Sequence, residues 1–195
     1  MKLRGLYAIT PEGPGLMEKV RAALEGGVSL LQYRNKAARL EEAQELAALA
    51  RCYHVPLIVN DDVDLALEIG AQGVHLGRDD GDLAKARRKM KGKILGASCY
   101  DDLEAARAAV QAGADYVAFG SVFASPTKPG AVRARLGLFS EAKSLKVPLA
   151  AIGGITLENA PEVIEAGAGL LAVISDLFDA TDIRRRAVQY GRLFQ

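Results

Sequence analysis

The sequence predicts a single α/β domain of the (βα)8 TIM-barrel class over residues 1–195, and three observations carry the prediction. Short apolar runs alternate with amphipathic segments along the whole chain. The runs are continuous over about four to six residues, which is typical of parallel strands covered on both faces. Clusters of polar and charged residues follow the C-terminal ends of the runs, where a parallel barrel builds its active site.

The strands are predicted from the apolar runs, and the helices from apolar residues spaced three and four apart, as in Leu40, Ala43, Leu46, Ala47 and Ala50. The predicted strands are residues 3–9, 29–32, 56–59, 73–76, 93–97, 116–119, 149–152 and 170–174. The predicted helices are residues 16–25, 40–53, 63–69, 83–90, 103–112, 138–145, 160–166 and 183–194.

A degenerate repeat supports this alternation. Glycine follows four of the predicted helices and leads into the next strand, at Gly26-Gly27, Gly70, Gly113 and Gly167. Glycine past a helix end readily takes the left-handed conformation that terminates the helix. A doubly wound open sheet is the competing architecture. The count of eight units and the late pair Gly153-Gly154 favour the closed barrel.

Composition indicates an ordinary enzyme domain. Lys+Arg number 25 against Asp+Glu 24, so a net charge of +1 gives no electrostatic basis for binding nucleic acid or a membrane surface. Cys52 and Cys99 are far apart and form no CxxC motif, which favours reduced thiols and a cytoplasmic location. The apolar stretch near the N-terminus breaks at Thr10-Pro11 and is too short for a signal peptide or a membrane span.

Acidic residues follow strands three and four, as Asn60-Asp61-Asp62 and Asp79-Asp80. Two carboxylates that face one pocket repel each other unless a cation or a proton lies between them. One carboxylate from each cluster, with water and phosphate oxygens, is typical of a Mg2+ site. Aspartates also cap helices, and we expect Asp62 and Asp79 to have that structural role.

Three further polar segments are predicted to line the same pocket. Strand two ends in Gln32-Tyr33-Arg34-Asn35-Lys36, where alternation sends Gln32 and Arg34 to one side and Tyr33 to the other. Arg34 and Lys36 suit a pyrophosphate, although a solvated charged loop is the alternative. Gly153-Gly154 after strand seven and Ile174-Ser175 after strand eight suit a phosphate, which is commonly bound by these two loops of a barrel; two tight turns are the alternative. Ser125-Pro126-Thr127-Lys128 lies in the longest loop and suits an anion-binding lid or a plain surface turn.

The remaining candidates are interpreted as structural. We expect His54 to be exposed and His75, inside strand four, to be a hydrogen-bonded core residue. The basic segment 85–91 is interpreted as the solvated face of helix four. No Ser-His-Asp arrangement, nucleophilic cysteine motif or dinucleotide fingerprint is present. Two anion sites and one metal site therefore predict a pyrophosphorylated substrate, a monophosphorylated partner and a neutral nucleophile that needs no base.

The ordered set of motifs resembles the thiamine phosphate synthase family. It comprises Gln32-x-Arg34-x-Lys36, Asn60-Asp61, Gly73-Val74-His75-Leu76-Gly77 with Asp80, Gly96-x-Ser98, Thr127-Lys128, Ile152-Gly153-Gly154-Ile155 and Ile174-Ser175. The resemblance implies condensation of 4-amino-2-methyl-5-hydroxymethylpyrimidine pyrophosphate with 4-methyl-5-(2-phosphoethyl)thiazole. The products are thiamine phosphate and pyrophosphate, and the route is dissociative, with pyrophosphate leaving first.

The resemblance also implies roles for individual residues. Mg2+ would be held by Asp61 and Asp80. The pyrimidine pyrophosphate would be held by Gln32, Arg34, Lys36, Asn60, Ser98 and Lys128, of which Arg34, Ser98 and Lys128 act in the chemistry. The thiazole phosphate would be held by Ser125, Thr127, Gly153, Gly154, Ile174 and Ser175. The sequence leaves the oligomeric state open.

Three positions depart from the family pattern. Ser125 stands where members often have threonine, Arg78 where many have glutamine, and Cys99-Tyr100 where some have Thr-His. Arg78 is expected to pair with Asp79 and leave Asp80 for the metal. Two alternative functions remain open, a thiazole tautomerase and a non-catalytic phosphate-sensing barrel. Asp61 with Asp80, and Lys128, favour the synthase over both.

Overall fold

Eight parallel strands close into a barrel in the computed structural model, which describes residues 3–37, 39–78, 80–124 and 133–195. Each strand pairs with the next one along the chain, and β1 pairs with β8 in the register Gly5 with Leu170. This closure confirms the predicted barrel and excludes the open doubly wound sheet. The strands are β1 Gly5–Ile9, β2 Leu30–Tyr33, β3 Leu57–Asn60, β4 Gly73–Leu76, β5 Ile94–Tyr100, β6 Tyr116–Phe119, β7 Leu149–Ile152 and β8 Leu170–Val173.

The helices surround the barrel, and a helix follows each strand. They are α1 Leu16–Glu25, α2 Leu40–Cys52, α3 Val63–Glu68, α4 Leu83–Lys89, α5 Leu103–Gln111, α6 Gly137–Ala142, α7 Ala160–Ala166, α8 Ser175–Phe178 and α9 Ile183–Arg192. Positive φ angles at Gly27, Gly70, Gly113 and Gly167 confirm the predicted glycine terminators. Among the described residues, no helix is long and apolar enough to cross a membrane.

Three predicted bounds were wrong and one helix was missed. β5 runs on past the predicted residue 97 to Tyr100, with a register shift against β6 between Ser98 and Tyr100. The predicted helix 138–145 is a short α6 followed by a 3-10 turn over Lys143–Leu145. The final helix ends at Arg192 rather than residue 194, and α8 was not predicted.

The core has two layers that the strand alternation separates. Side chains pointing inward fill the barrel, including Tyr7, Leu30, Ile58 and Tyr116. Side chains pointing outward pack against the helices in a much larger apolar cluster. The inner layer is unusual in carrying polar groups, since Gln32 and His75 are both buried. Buried polar groups need partners, and theirs are described below.

The basic segment of α4 is only partly the solvated face that the sequence predicted. The Arg87 guanidinium turns inward and donates to the carbonyl oxygens of Gly113 and Lys93 and to the carboxylate of Asp115. It thereby joins α4 to the starts of β5 and β6. Lys89 pairs with Asp64 at the surface. Cys52 is exposed and Cys99 buried, and both are free thiols.

Candidate active site

A pair of carboxylates lies at the C-terminal mouth of the barrel. Asp61 follows β3, and its backbone N–H donates to the His75 carbonyl oxygen at 2.8 Å. Asp80 follows β4, and its Oδ2 accepts from the Gly77 N–H at 2.8 Å. A Cβ atom on Gly77 would lie 2.5 Å from that same oxygen, so any larger residue here would displace the Asp80 carboxylate. Backbone contacts thus hold two acids from neighbouring strands in one place.

The environment of Asp61 disfavours its charge. Partial desolvation, a hydrogen bond with Asp80 and the charge of Asp80 together raise the pKa of Asp61 to about 6, while Arg34 and Asn60 oppose the shift. Asp61 also has a left-handed backbone, with φ at 64°, and such strained residues cluster at functional sites. Two crowded oxygen ligands of this kind fit a divalent cation, which would relieve their repulsion.

The neighbouring acids have structural roles, as predicted for one of them. Asp62 caps α3, its side chain accepting from the Leu65 N–H at 2.8 Å. The cap of α4 is Asp82, which accepts from the N–H groups of Ala84 and Lys85. Asp82 thus stands directly before α4, which begins at Leu83. Asp79, for which a capping role was predicted, lies outside the described residues. Among the residues that the structure describes, no group of three or more His, Cys, Asp or Glu could hold a metal.

The end of β2 points its side chains as alternation predicted. Gln32 is buried inside the barrel, whereas the Tyr33 hydroxyl turns outward and donates to Glu42 on α2 at 2.9 Å. Arg34 is half-buried, and its charge acts on Asp61, so the guanidinium lies on the carboxylate side of the mouth. Lys36 is exposed at the rim. The structure therefore brings Gln32, Arg34 and the acid pair together.

Asn60 ends β3 beside this group. Its side-chain N–H donates to Asp61 Oδ2 at 2.5 Å, which orients that carboxylate. Ser98 lies in β5, half-buried, and its hydroxyl is 2.8 Å from Nε2 of His75. These two residues close the side of the pocket between β3 and β5.

His75 is the hydrogen-bonded core residue that the sequence predicted. Its Nδ1 lies 2.9 Å from the Tyr116 hydroxyl, and its ring stacks on the Tyr116 ring with centroids 5.5 Å apart. Burial lowers the pKa of His75 to about 4, so the ring is neutral at physiological pH. His54 is exposed after α2, also as predicted.

The depressed pKa of His75 predicts an acid sensitivity of the fold. Between pH 6.5 and about 4, His75 is protonated in the unfolded state but neutral in the folded state. The free energy of unfolding therefore falls as the pH falls through this window. At pH 5 the expected loss is about 2 kcal/mol. Urea unfolding at pH 7 and pH 5 measures it. His75→Gln is expected to lack this component, whereas His54→Gln retains it.

Asp61 contributes with the opposite sign in an overlapping window. Its raised pKa means that the folded state holds a proton up to about pH 6, so its contribution to stability is lost as the pH rises. The comparison of His75→Gln with His54→Gln cancels this term because both variants keep Asp61. Equal pH dependence in the two variants would contradict the assignment to His75.

Gly153-Gly154 after β7 packs against the start of the long β6–α6 loop. Both have positive φ, 101° and 62°. A Cβ atom on Gly153 would collide with Ser121, and one on Gly154 with the Ala124 carbonyl oxygen. The loop is joined to β7 by hydrogen bonds from Val122 and Phe123 to the carbonyl oxygens of Ile152 and Gly153. The glycines therefore make room for this loop, a requirement that the sequence did not suggest.

Ile174 and Ser175 follow β8, where α8 begins. This one-turn helix is fixed to α9, because Asp176 accepts from the Tyr190 hydroxyl at 2.7 Å and from Arg186 at 3.0 Å. Ser175 is exposed at its first position. Ser125, Thr127 and Lys128 lie outside the described residues, so their predicted roles stay predictions.

Arg78 has a contact that the sequence did not suggest. Its guanidinium carbon lies 4.9 Å from the centroid of the Tyr100 ring, a cation–π contact at the rim. The predicted partner, Asp79, lies outside the described residues. Tyr100 has a left-handed φ of 54° and follows the β5 bulge. Bulges commonly redirect neighbouring side chains, and Tyr100 beside this bulge faces Arg78.

A carboxylate pair, a guanidinium beside it and glycine turns at the C-terminal mouth define a (βα)8-barrel enzyme that acts on phosphorylated substrates. Residues 6–177 match the thiamine monophosphate synthase family. The chain is 57% identical to the thiamine-phosphate synthase of Aromatoleum aromaticum, with 99% of this chain and 97% of that protein covered. It is 54% identical to the thiamine-phosphate synthase of Thiobacillus denitrificans, with 97% and 94% covered.

A solved structure of a related enzyme is also similar to this chain over nearly its whole length. The thiamine phosphate pyrophosphorylase from Pyrococcus furiosus superposes with a TM-score of 0.87 at 38% identity, covering 98% of this chain and 96% of that one. The chain belongs to the thiamine monophosphate synthase family, and it is a transferase that makes thiamine phosphate. The resemblance stated from the motifs is thereby confirmed, in preference to a tautomerase or a non-catalytic sensor.

Proposed function

We propose that the mouth of this barrel is divided between the two substrates of the family's reaction. The pyrimidine pyrophosphate lies over β2 to β5, against Gln32, Arg34, Lys36, Asn60 and Ser98, with Lys128 reaching it from the long loop. The thiazole phosphate lies over β7 and β8, against Gly153, Gly154, Ile174 and Ser175, with Ser125 and Thr127. The observation that carries the proposal is the Asp61–Asp80 pair with Arg34 beside it.

We propose that Asp61 and Asp80 hold Mg2+ together with oxygens of the pyrophosphate. The bound ion would neutralise charge on the leaving group. Arg34, Lys36 and Lys128 act in the same sense, because fixed cations stabilise the charge that develops as the carbon–oxygen bond breaks. Asn60 holds the Asp61 carboxylate in its orientation through their hydrogen bond.

The chemistry needs no general base in this arrangement. The bonding electrons of the carbon–oxygen bond leave with pyrophosphate, and the pyrimidine's amino group stabilises the resulting cation. The lone pair of the thiazole nitrogen then forms the carbon–nitrogen bond, and no proton is transferred in that step. The neutral state of His75 and its position behind Ser98 are consistent with a site without a base.

The direct test of this function is product detection by mass spectrometry. The purified protein is incubated with both phosphorylated heterocycles and Mg2+, and thiamine phosphate and pyrophosphate are expected in equal amounts. Absence of both products would exclude the reaction.

We also propose that the enzyme acts on small molecules only and in the cytoplasm. The near-zero net charge and the two separate free thiols support this.

Ser175→Ala is expected to weaken binding of the thiazole phosphate alone. A hydrogen bond to a charged group contributes about 1.5–3 kcal/mol, so KM for this substrate should rise about tenfold or more. KM for the pyrimidine should change little, because its site lies across the mouth. Steady-state kinetics with each substrate varied in turn measures both values. Ser144→Ala, in the distant 3-10 turn, is the matched control, and equal effects of Ser175→Ala on both substrates would contradict the division.

A further inference from the structure

Five polar side chains form a continuous hydrogen-bonded chain across the inside of the barrel. Gln32 Nε2 lies 2.5 Å from the Tyr7 hydroxyl, and that hydroxyl lies 2.7 Å from the Tyr116 hydroxyl. The Tyr116 hydroxyl is 2.9 Å from His75 Nδ1, and His75 Nε2 is 2.8 Å from the Ser98 hydroxyl. The chain therefore begins and ends at two residues of the proposed pyrimidine pyrophosphate site.

The hydrogen-bonded chain occupies space inside the barrel that is available because residue 96 is glycine. A Cβ atom on Gly96 would collide with the Tyr116 ring. Without it, Tyr116 reaches across the barrel, where it meets Tyr7 edge-on and stacks on His75. Tyr7, Tyr116 and His75 are all buried. Each of their polar hydrogens therefore needs an acceptor within the barrel.

The donors and acceptors available to these side chains allow the hydrogen bonds to run in one direction, from Gln32 to Ser98. The Gln32 amide nitrogen can only donate, so the Tyr7 oxygen accepts from it and the Tyr7 hydrogen must go to Tyr116. The Tyr116 hydrogen must then go to Nδ1 of His75. The ring is neutral, because it is buried and no carboxylate of the described residues is hydrogen-bonded to either nitrogen. Its single proton is left for Nε2. The Ser98 oxygen accepts that proton.

We propose that His75 is a positioning residue, fixed with its proton on Nε2, which turns the Ser98 hydroxyl into a hydrogen-bond donor toward the substrate. An isolated serine hydroxyl rotates freely and can donate or accept. With its oxygen occupied by His75, Ser98 presents its hydrogen to an acceptor atom of the ligand. This inference rests on the proposed function, in which Ser98 faces the pyrimidine pyrophosphate.

The direction of the chain can be tested without substrate. The protein has two histidines, and His54→Gln identifies the signals of His75 in nitrogen-15 NMR. The expected pattern is one protonated nitrogen coupled strongly to both ring carbon-bound hydrogens, which identifies Nε2. A proton on Nδ1 would overturn the proposal, because the chain would then run from Ser98 toward Gln32. This measurement holds whatever reaction the enzyme catalyses.

The positioning role is tested by a double-mutant cycle. Ser98→Ala and His75→Leu are each expected to lower kcat/KM for the pyrimidine pyrophosphate by about tenfold or more, the scale of one lost hydrogen bond to a charged group. The double variant should be no worse than either single one, because both remove the same oriented hydroxyl. His75→Gln, whose amide can donate to Ser98, should recover part of the loss. KM for the thiazole phosphate should not change.

These experiments distinguish a failure of the positioning role of His75 from a failure of the proposed function. Losses that multiply in the double variant would overturn the positioning role while the site assignment stands. Wild-type protein that forms no thiamine phosphate would instead refute the proposed function, and NMR would still report the tautomer. Calorimetry with inorganic pyrophosphate and with the unphosphorylated pyrimidine alcohol shows which acceptor Ser98 serves, since Ser98→Ala should weaken only one of them. Weakening of neither would also overturn the proposal. His54→Gln is expected to match the wild type throughout.

Discussion

Asp80→Ala is expected to lower kcat/KM for the pyrimidine pyrophosphate by roughly a hundredfold or more, since metal-assisted charge stabilisation supplies several kcal/mol and each 1.4 kcal/mol is about tenfold. Asp80 is one of two described carboxylates at the mouth that contact each other. Its removal would leave Asp61 as the single acidic ligand. The fold should survive, because Asp80 is exposed and, among the described residues, its carboxylate contacts the Gly77 N–H and Asp61 alone.

Metal binding is measured apart from turnover. Mn2+ can replace Mg2+ as a spectroscopic probe, and its electron paramagnetic resonance in the presence of inorganic pyrophosphate reports binding directly. Asp82→Asn is the matched control, because it removes a carboxylate two residues away while asparagine still caps α4. It is expected to bind Mn2+ like the wild type. Full activity of the wild type in excess chelator, or unchanged Mn2+ binding by Asp80→Ala, would contradict the metal assignment.

The barrel could be predicted because each strand is covered on both faces. Such a strand appears in the sequence as an uninterrupted apolar run, and three predicted strands, such as Tyr116–Phe119, have the bounds that the structure gives them. β5 was predicted too short because its last residues, Ser98 to Tyr100, contain a bulge and polar side chains. α8 was missed because four residues are too few to show a helical period.

The meeting of Asp61, Asp80 and Arg34 could be predicted because each lies in the segment that follows a strand. Asp61 and Asp80 needed only the rule that parallel strands end on one face. The chain through His75 could not be predicted, because Tyr7, Gln32, Tyr116 and Ser98 come from four other strands. Only the register of the closed barrel shows that their side chains meet. Gly96 was the available signal, as an isolated glycine in a strand indicates a close approach.

The structure gives Gly153-Gly154 a second requirement for glycine, beside the predicted phosphate. The sequence suggested that Gly153-Gly154 leaves space for a phosphate. In the structure a side chain on Gly154 would first strike the Ala124 carbonyl oxygen. Gly154→Val therefore tests the position of the β6–α6 loop together with the phosphate site, and Ser175→Ala tests the phosphate site more cleanly.

Lys128→Ala is expected to lower kcat about a hundredfold or more, the scale observed when one preorganised charge-stabilising donor is lost. Lys128 lies outside the described residues, but both ends of its loop are at the mouth of the barrel. Ala124 packs against Gly154, and the Ala134 N–H donates to the Ser121 carbonyl oxygen at 2.9 Å.

The expected effect lies in the chemical step, because charge grows on pyrophosphate only as the bond to carbon breaks. Single-turnover kinetics at saturating substrates should show the full loss, while binding of the pyrimidine pyrophosphate changes less. Lys128→Arg should recover only part of the rate, since a planar guanidinium does not reproduce a compact ammonium charge. Lys91→Ala, at an exposed lysine before β5 and so at the opposite end of the barrel, is the matched control. A normal single-turnover rate in Lys128→Ala would exclude this lysine from the reacting centre and leave Arg34 and the metal to stabilise the leaving group.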